Sequence, residues 1–121
     1  MKFISQSIEG LVLIGPEVFE DNRGAFRRNF CAKELKENGI EFSMLQGNIS
    51  ENKSIFTLRG FRYQKKPSNE SKVLTPITGG IHNVVVDLRQ DSSTFLKSVV
   101  LDVLSSRRES LHVPAGCANA F

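Results

Sequence analysis

The chain has 121 residues, of which 40% are hydrophobic and 24% are charged, a composition typical of one soluble globular domain. The longest apolar runs, "LVLI" and "VVV", are far shorter than a membrane span. The net charge of +3 is too small to indicate a nucleic-acid partner. The sequence begins without the apolar segment of a secretory signal, so we expect a cytoplasmic protein.

Short apolar or β-branched runs recur along the chain with turn residues between them, which indicates an all-β sandwich or barrel. The turn signals include "PSNES", "GG" and "QDSS". Because there is no repeat, linker or composition shift, residues 1–121 are expected to form a single domain. The predicted strands are residues 11–14, 42–46, 54–59, 73–77, 81–88, 95–103 and 110–113.

One segment departs from the strand pattern. Residues 32–38, "AKELKEN", collect good helix formers and precede Gly39, which suits a left-handed C-terminal cap, so we expect one short N-terminal helix. The chain closes on the apolar "LHVPAGCANAF" without a polar tail, and a sandwich needs later strands to cover such an edge. We therefore expect the 121 residues to be the front two thirds of a longer domain.

Positive charge is concentrated in two windows, one of which contains "TLRGFRYQKK" with its aromatic Phe61 and Tyr63. Two interpretations stay open at this level: solvated basic faces, or a strand that binds an anion such as phosphate. The cations of the two windows are Arg23, Arg27 and Arg28, then Arg59, Arg62, Lys65, Lys66 and Lys72.

The residue types that carry metal or nucleophilic chemistry form no motif here. His82 and His112 are the only histidines, and neither has a second ligand at metal-site spacing. Cys31 and Cys117 are too few for a disulfide framework, and neither is paired with a histidine in a recognisable pattern. We expect no metal site.

Six motifs in a fixed order give a more specific signal. They are "GLVLIGPEVFEDNRGAF", "LQGNIS", "LRGFRYQ", "SKVL", "VDLRQDSSTF" and "HVPAGCANAF". From about Ile8 to Phe121 the chain resembles the dTDP-4-dehydrorhamnose 3,5-epimerase family. The resemblance implies a cupin-type jelly roll, a homodimer, and epimerisation of a dTDP-linked 4-keto-6-deoxy sugar for cell-surface polysaccharide synthesis. That reaction removes and returns a proton beside the ketone and needs no cofactor.

The resemblance also implies contacts to the nucleotide sugar. Arg23 and Phe26 match the family's Arg-Gly-x-Phe, whose Arg contacts the ligand from the neighbouring subunit. Gln46 and Asn48 match its Gln-x-Asn nucleotide contact. These four residues are therefore expected to bind substrate.

Two cations match positions nearer the chemistry. Arg59 falls on the Arg of Arg-Gly-x-His-x-Gln, which holds the diphosphate, and Lys72 on a Lys that steadies the enolate oxygen. Both roles suit the side chains, because guanidinium groups bind phosphate through forked hydrogen bonds and an ammonium stabilises a developing oxyanion. Arg62 occupies the position of the general-base His. An arginine stays protonated and only donates, so Arg62 cannot act as that base.

Further departures remove other acid and base groups. Arg28, which we expect to contact substrate, stands where the family has a Glu that touches it, and Asn83 stands where the family has an Asp. Asn119, which we also expect to contact substrate, replaces a His, with Ala120 where Gly is usual. The family's proton-donating Tyr, and the Asp that orients its His, would fall beyond Phe121.

Three functions stay open. The chain is a working epimerase, a nucleotide-sugar binder or partner subunit that kept the pocket and lost the base, or a related sugar isomerase or sugar-modifying cupin whose base comes from elsewhere, such as a region beyond Phe121. The family resemblance favours the first function. The Arg at position 62 favours the second.

Overall fold

A computed structural model describes all residues 1–121 of the chain. It is mostly β-structure with one α-helix, as expected, and a short 3₁₀ turn at Ser105–Arg107. No helix is of a length and apolarity that could cross a membrane. The elements are β1 Lys2–Ser5, β2 Val12–Gly15, β3 Val18–Asp21, β4 Gly24–Arg27, α1 Ala32–Glu37, β5 Lys72–Leu74, β6 Gly80–Asp87, β7 Ser98–Leu104, β8 Ser110–Val113 and β9 Cys117–Ala120.

Two antiparallel sheets form the body of the fold. The first has the strand order β1-β2-β8-β5 and the second the order β7-β6-β9, while β3 and β4 form a separate hairpin. Side chains of Leu111 and Val113 on the first sheet pack with Val85 and Val103 on the second, and all four are buried. The space between the sheets is therefore the main hydrophobic core.

The opposite face of the first sheet is covered by α1. Leu35 of the helix and Ile40 after it pack on Val12 and Ile14 of β2. The predicted helix is confirmed, with Asn38 as its C-cap and Gly39 in the left-handed region at φ 76°. The Ile40 N–H donates to the Leu35 carbonyl (2.9 Å), closing a Schellman motif that satisfies the carbonyls at the helix end.

Two predicted strands, residues 42–46 and 54–59, are wrong. No regular strand occurs between α1 and β5, and the apolar side chains Leu45, Ile55, Phe56 and Leu58 of this region are 80–97% exposed. Composition alone predicted those strands, but a strand needs a neighbour to receive its backbone hydrogen bonds, and within the chain only Arg59, at the end of the second segment, has one, in Phe121.

Other boundaries shifted, and some strands were missed. The strands predicted at residues 73–77 and 95–103 are observed at Lys72–Leu74 and Ser98–Leu104, whereas Ser110–Val113 is confirmed. The prediction missed β1, the exposed hairpin β3–β4, and β9, whose small residues "CANA" carry no β-forming signal.

Candidate functional site

Residues 59–62 form an additional, irregular edge of the second sheet beside β9. Arg59 exchanges both backbone hydrogen bonds with Phe121 (2.6 and 2.9 Å), and Arg62 does the same with Asn119 (3.0 and 3.1 Å). Three steps along one strand thus match two along the other, which defines a β-bulge opposite Ala120. In a regular strand, residues 59 and 62 would point to opposite faces of the sheet. The bulge places Arg59 and Arg62 on the same face.

Gly60 is required by this bulge. Its φ is +135°, and an added Cβ would lie 2.5 Å from the Ala120 Cβ and 2.8 Å from the Asn119 carbonyl oxygen. No other residue allows the two backbones to approach so closely. The glycine of "LRGFRYQ" is therefore part of the scaffold that orients the arginines.

Strand register decides where Arg62 and its neighbours point. Asn119 lies opposite Arg62 on one side and opposite Val85 on the other, and directly opposed residues share a face of the sheet. Val85 is fully buried in the core between the sheets. Asn83 is two residues from Val85 and so shares this face. We use the name inward wall for four residues: Arg62, Asn83, Asn119 and Lys72, the last of which is described next.

Lys72 approaches the same space from the facing sheet. It lies opposite Val113 at the start of β5, and the Val113 side chain is in the core. Lys72 is half-buried and has no carboxylate within 4.0 Å, and Arg62 is equally without an ion-pair partner. The two sheets thus bring two uncompensated cations to one side of the core.

The two asparagines of the inward wall are buried. Asn83 is fully buried, and both its Oδ1 and its Nδ2 lack a hydrogen-bond partner. Asn119 is 6% exposed, and its side chain makes no hydrogen bond within the chain. Buried polar side chains are nearly always hydrogen-bonded, and an unpartnered one costs roughly 1–3 kcal/mol. The wall is therefore polar without being internally satisfied.

Arg59 is positioned differently from Arg62. Its Nε donates to the Asn52 Oδ1 (2.7 Å) and its Nη2 to the Glu51 carbonyl (3.3 Å). These bonds tie the arginine to the preceding loop without neutralising its charge. Arg59 can therefore still attract an anion.

The hairpin residues lie apart from the inward wall. The Arg23 side chain is 85% exposed and pairs only with Asp21 (2.6 Å), and Phe26 is 74% exposed. Phe26 and Asn48 line an open cleft of about 500 Å³ that also contains Val73, whose side chain is on the face opposite Lys72. Within one chain, the hairpin and the inward wall therefore form two separate groups.

Two other predicted site residues also lie outside the wall. Gln46 is exposed on the loop that follows α1. Arg28 donates to Glu34 in the first turn of the helix (2.7 Å), and this carboxylate also receives the N-terminal ammonium (2.6 Å). Arg28 therefore helps to anchor α1.

Sequence reasoning missed the role of Asp87, which it read only as part of a motif. The buried carboxylate accepts hydrogen bonds from Arg89 (2.7–3.0 Å), Ser92 (2.7 Å) and Thr94 (2.6 Å). Burial opposes its charge, but the bonds from Arg89 and the two hydroxyls outweigh burial and hold the pKa of Asp87 well below its usual value. The "DLRQDSST" spacing, with one acid before several donors, was the available signal.

The histidines and cysteines contribute no further reactive centre. His82 is exposed and bonded to Asp102 (2.6 Å), whereas His112 is buried against Phe42 on the helix side of the first sheet. Burial raises the pKa of the Cys117 thiol to about 11, so this cysteine is protonated and unreactive at neutral pH. No three His, Cys, Asp or Glu side chains are grouped so as to hold a metal ion.

Comparison with known proteins identifies the family of the chain. The profile of the dTDP-4-dehydrorhamnose 3,5-epimerase family matches residues 5–121. The chain belongs to this family. The epimerase of Methanothermobacter thermautotrophicus is 34% identical over 99% of the chain, and that of Sinorhizobium fredii 35% identical over all of it. The chain spans 64% and 62% of the lengths of these two relatives.

Solved structures agree with the family assignment. The Bacillus anthracis epimerase, crystallised with TDP and PPi, has a TM-score of 0.92 and 32% identity, with 99% of this chain and 69% of that one covered. A Legionella pneumophila 3,5-epimerase in complex with dTDP-4-keto-L-rhamnose has a TM-score of 0.88 and 30% identity, with 99% and 63% covered. The predicted cupin-type jelly-roll fold is therefore confirmed.

Proposed function

We propose that the chain binds a dTDP-type nucleoside diphosphate sugar of deoxysugar biosynthesis at the inward wall and does not itself remove a proton from the sugar. Family membership and the TDP and dTDP-sugar complexes of similar structures support the ligand class. The absence of proton removal rests on Arg62. Its backbone pair with Asn119 holds it at the position that the family gives to a base.

Binding would use the cations in different ways. Arg59 is exposed enough to hold the diphosphate through charge-assisted hydrogen bonds, and its bonds to Asn52 and Glu51 orient it beforehand. Lys72 would lie near the sugar, between the sheets. No cofactor or metal takes part in the proposal.

Proton removal lacks a suitable group on the inward wall. The wall presents Arg62 and Lys72, which are cationic, and the neutral amides of Asn83 and Asn119. Asp87, on the same face of β6, is fully engaged by Arg89 and two hydroxyls. A general base needs a free lone pair within hydrogen-bond reach of the proton it takes, so none of these groups fits the task.

A second copy of the chain is part of the proposal. The hairpin β3–β4 extends as a separate two-stranded sheet with Phe19 60% and Phe26 74% exposed, and Phe56 on the loop after α1 is 97% exposed. Apolar exposure of this extent is usual where a partner packs. In a homodimer, Arg23 and Phe26 of one copy would reach the site of the other and complete it. The free thiols fit a reducing compartment, which we propose is the cytoplasm.

Proton NMR in heavy water tests the absence of chemistry. We expect no deuterium at the carbons beside the ketone of a dTDP-4-keto-6-deoxyhexose after incubation with the native chain. An Arg62→His variant supplies an imidazole at that position, and exchange in this variant would show that only the base had been lost. Deuterium incorporation by the native chain would overturn the proposal.

Thermal unfolding tests binding separately. TDP at 100 times its dissociation constant should add about 2.7 kcal/mol to the free energy of unfolding, seen as a rise in Tm. An Arg59→Gln variant should lose most of this rise. Lys65→Gln, an exposed cation of the same window, is the matched control and should keep it. Absence of any TDP effect on the native chain would remove the ligand assignment.

A working epimerase is the second candidate, because Lys72 keeps its place beside the core and could stabilise an enolate oxygen. In that case the base comes from another element or from a second copy. Native-chain exchange that survives an Arg62→Gln substitution would support this candidate.

A further inference from the structure

The positive charge of the inward wall exceeds what a diphosphate requires. In the proposed function, Arg59 and the Arg23 of a second copy, which would exchange its exposed Asp21 partner for the ligand, together match the two charges of a nucleoside diphosphate. Arg62 and Lys72 then remain, both turned toward the space in which the sugar would lie. A neutral keto sugar would offer Lys72 at most a ketone oxygen to stabilise and would leave Arg62 without a counter-charge.

No carboxylate of the chain neutralises the two cations. Neither has an acidic oxygen within 4.0 Å. The acid on the same face of β6, Asp87, is already saturated by Arg89, Ser92 and Thr94. A half-buried ammonium such as Lys72 is costly without a partner, so a ligand that brings an anion is favoured.

The asparagines give a second, independent indication of a ligand. Asn83 is fully buried with both polar atoms unpartnered, and Asn119 beside it is 6% exposed. Amides at these positions do not repel an anion as carboxylates would, and each offers an N–H donor. The wall therefore combines two cations with two neutral donors.

We propose that the sugar bound at the inward wall is anionic, and that its carboxylate is held by Arg62 and Lys72 with the amides of Asn119 and Asn83 beside it. A guanidinium matches a carboxylate through two parallel N–H···O bonds, and an ammonium adds a point charge. The proposal rests on the proposed function for the nucleotide and the site, and it replaces the neutral 6-deoxy sugar of the family by an acidic sugar at the same place. It also accounts for Arg at position 62, which holds the ligand.

Isothermal titration with a matched pair of ligands tests this inference. dTDP-glucose and dTDP-glucuronate differ only in a hydroxymethyl group against a carboxylate at C6. We expect the native chain to bind dTDP-glucuronate at least about tenfold more tightly, the size of one good charge-assisted hydrogen bond. TDP alone is titrated in parallel.

Substitutions show which side chains cause the preference for dTDP-glucuronate. Arg62→Gln and Lys72→Gln should each reduce the preference for glucuronate severalfold or more, and each should weaken dTDP-glucuronate more than TDP. Lys65→Gln is the control and should keep the preference. Asn83→Asp should weaken dTDP-glucuronate more than dTDP-glucose, because it adds a like charge beside the carboxylate.

The outcomes are distinguishable. Equal affinities for the two sugars, or a preference that survives Arg62→Gln, would overturn the anionic-sugar inference while TDP binding kept the proposed function intact. If TDP itself does not bind, the proposed function fails and the inference fails with it. Arg62 is exposed at the sheet edge, so its substitution tests the inference even if Asn83→Asp does not fold.

Discussion

Asp87 and Asn83 lie four residues apart on β6, share one face of the strand, and are both fully buried. The Asp87 carboxylate accepts hydrogen bonds from two hydroxyls and from the backbone and guanidinium of Arg89. The Asn83 amide has none. Because buried polar groups in folded proteins are nearly always partnered, the first serves the fold and the second indicates a ligand.

The difference follows from what surrounds each residue. Asp87 ends β6, and its partners belong to the loop that leads to β7, so the chain folds back to satisfy it. Asn83 lies within the strand, opposite Leu101 of β7, and shares with Val85 the face that is buried against the opposite sheet. β6 thus carries a fully hydrogen-bonded carboxylate, Asp87, at its end and an unpartnered amide, Asn83, within the inward wall.

The largest expected effect on stability comes from removing the Asp87 carboxylate at the end of β6. Asp87→Ala leaves Arg89 without its carboxylate and removes the acceptor shared by Ser92 and Thr94, whose hydroxyls then have only each other as acceptors (3.0 Å). Removing one partner of a buried ion pair costs about 3–5 kcal/mol, and because the Arg89 side chain is 27% exposed we expect the lower end, about 3 kcal/mol. Urea unfolding measures this loss.

Asp91→Ala is the matched control, because this neighbouring acid is exposed and should change stability by less than about 0.5 kcal/mol. A loss below about 1 kcal/mol for Asp87→Ala would show that the loop does not depend on its carboxylate.

A smaller effect of opposite sign is expected at Asn83. Asn83→Leu replaces an unpartnered buried amide by an apolar side chain of similar size, so the ligand-free chain should gain about 1 kcal/mol. The same change should weaken binding of the nucleotide sugar, measured by titration. The exposed Asn69→Leu serves as control and should alter neither quantity. Destabilisation of the ligand-free chain by Asn83→Leu would mean that the amide is satisfied in the folded state.

Sequence reasoning captured the general fold and missed the contacts that organise the site. Helix formers before Gly39 predicted α1 and its cap correctly, because the signal is local. The ordered motifs pointed to the right family, and the profile match confirmed it. The strand predicted at residues 54–59 was wrong because its apolar residues have no neighbouring strand within the chain.

The geometry of the inward wall could not be read from the sequence. Arg59 and Arg62 share a face only because of the bulge at Gly60, which depends on close approach to Ala120. The burial of Asn83 depends on strands β6 and β7 and on the opposing sheet. The roles assigned to Arg23, Gln46 and Lys72 stay predictions until a ligand is tested.

His112 is the intermediate case and gives the smallest effect. Its Nδ1 donates to the Gly10 carbonyl (2.9 Å), while the buried Nε2 has no partner. Burial lowers the pKa of His112, partly offset by the Gly10 bond, so the fold favours the neutral imidazole. Below the ordinary value of 6.5 the unfolded chain therefore binds more protons, and stability should fall as the pH drops toward the folded pKa.

Unfolding free energies measured between pH 7 and pH 5 test this contribution, because that range lies above the ordinary Asp value of 3.8, below which the loss from Asp87 begins. His112→Gln should flatten the pH dependence, and the exposed His82→Gln is the matched control. An unchanged slope in His112→Gln would show that the imidazole is not held neutral by the fold. A flattened slope would show that His112 is intermediate between Asp87 and Asn83. Its Nδ1 has a partner in the Gly10 carbonyl, which fixes the ring, whereas its buried Nε2 has none, which makes the charged imidazole costly.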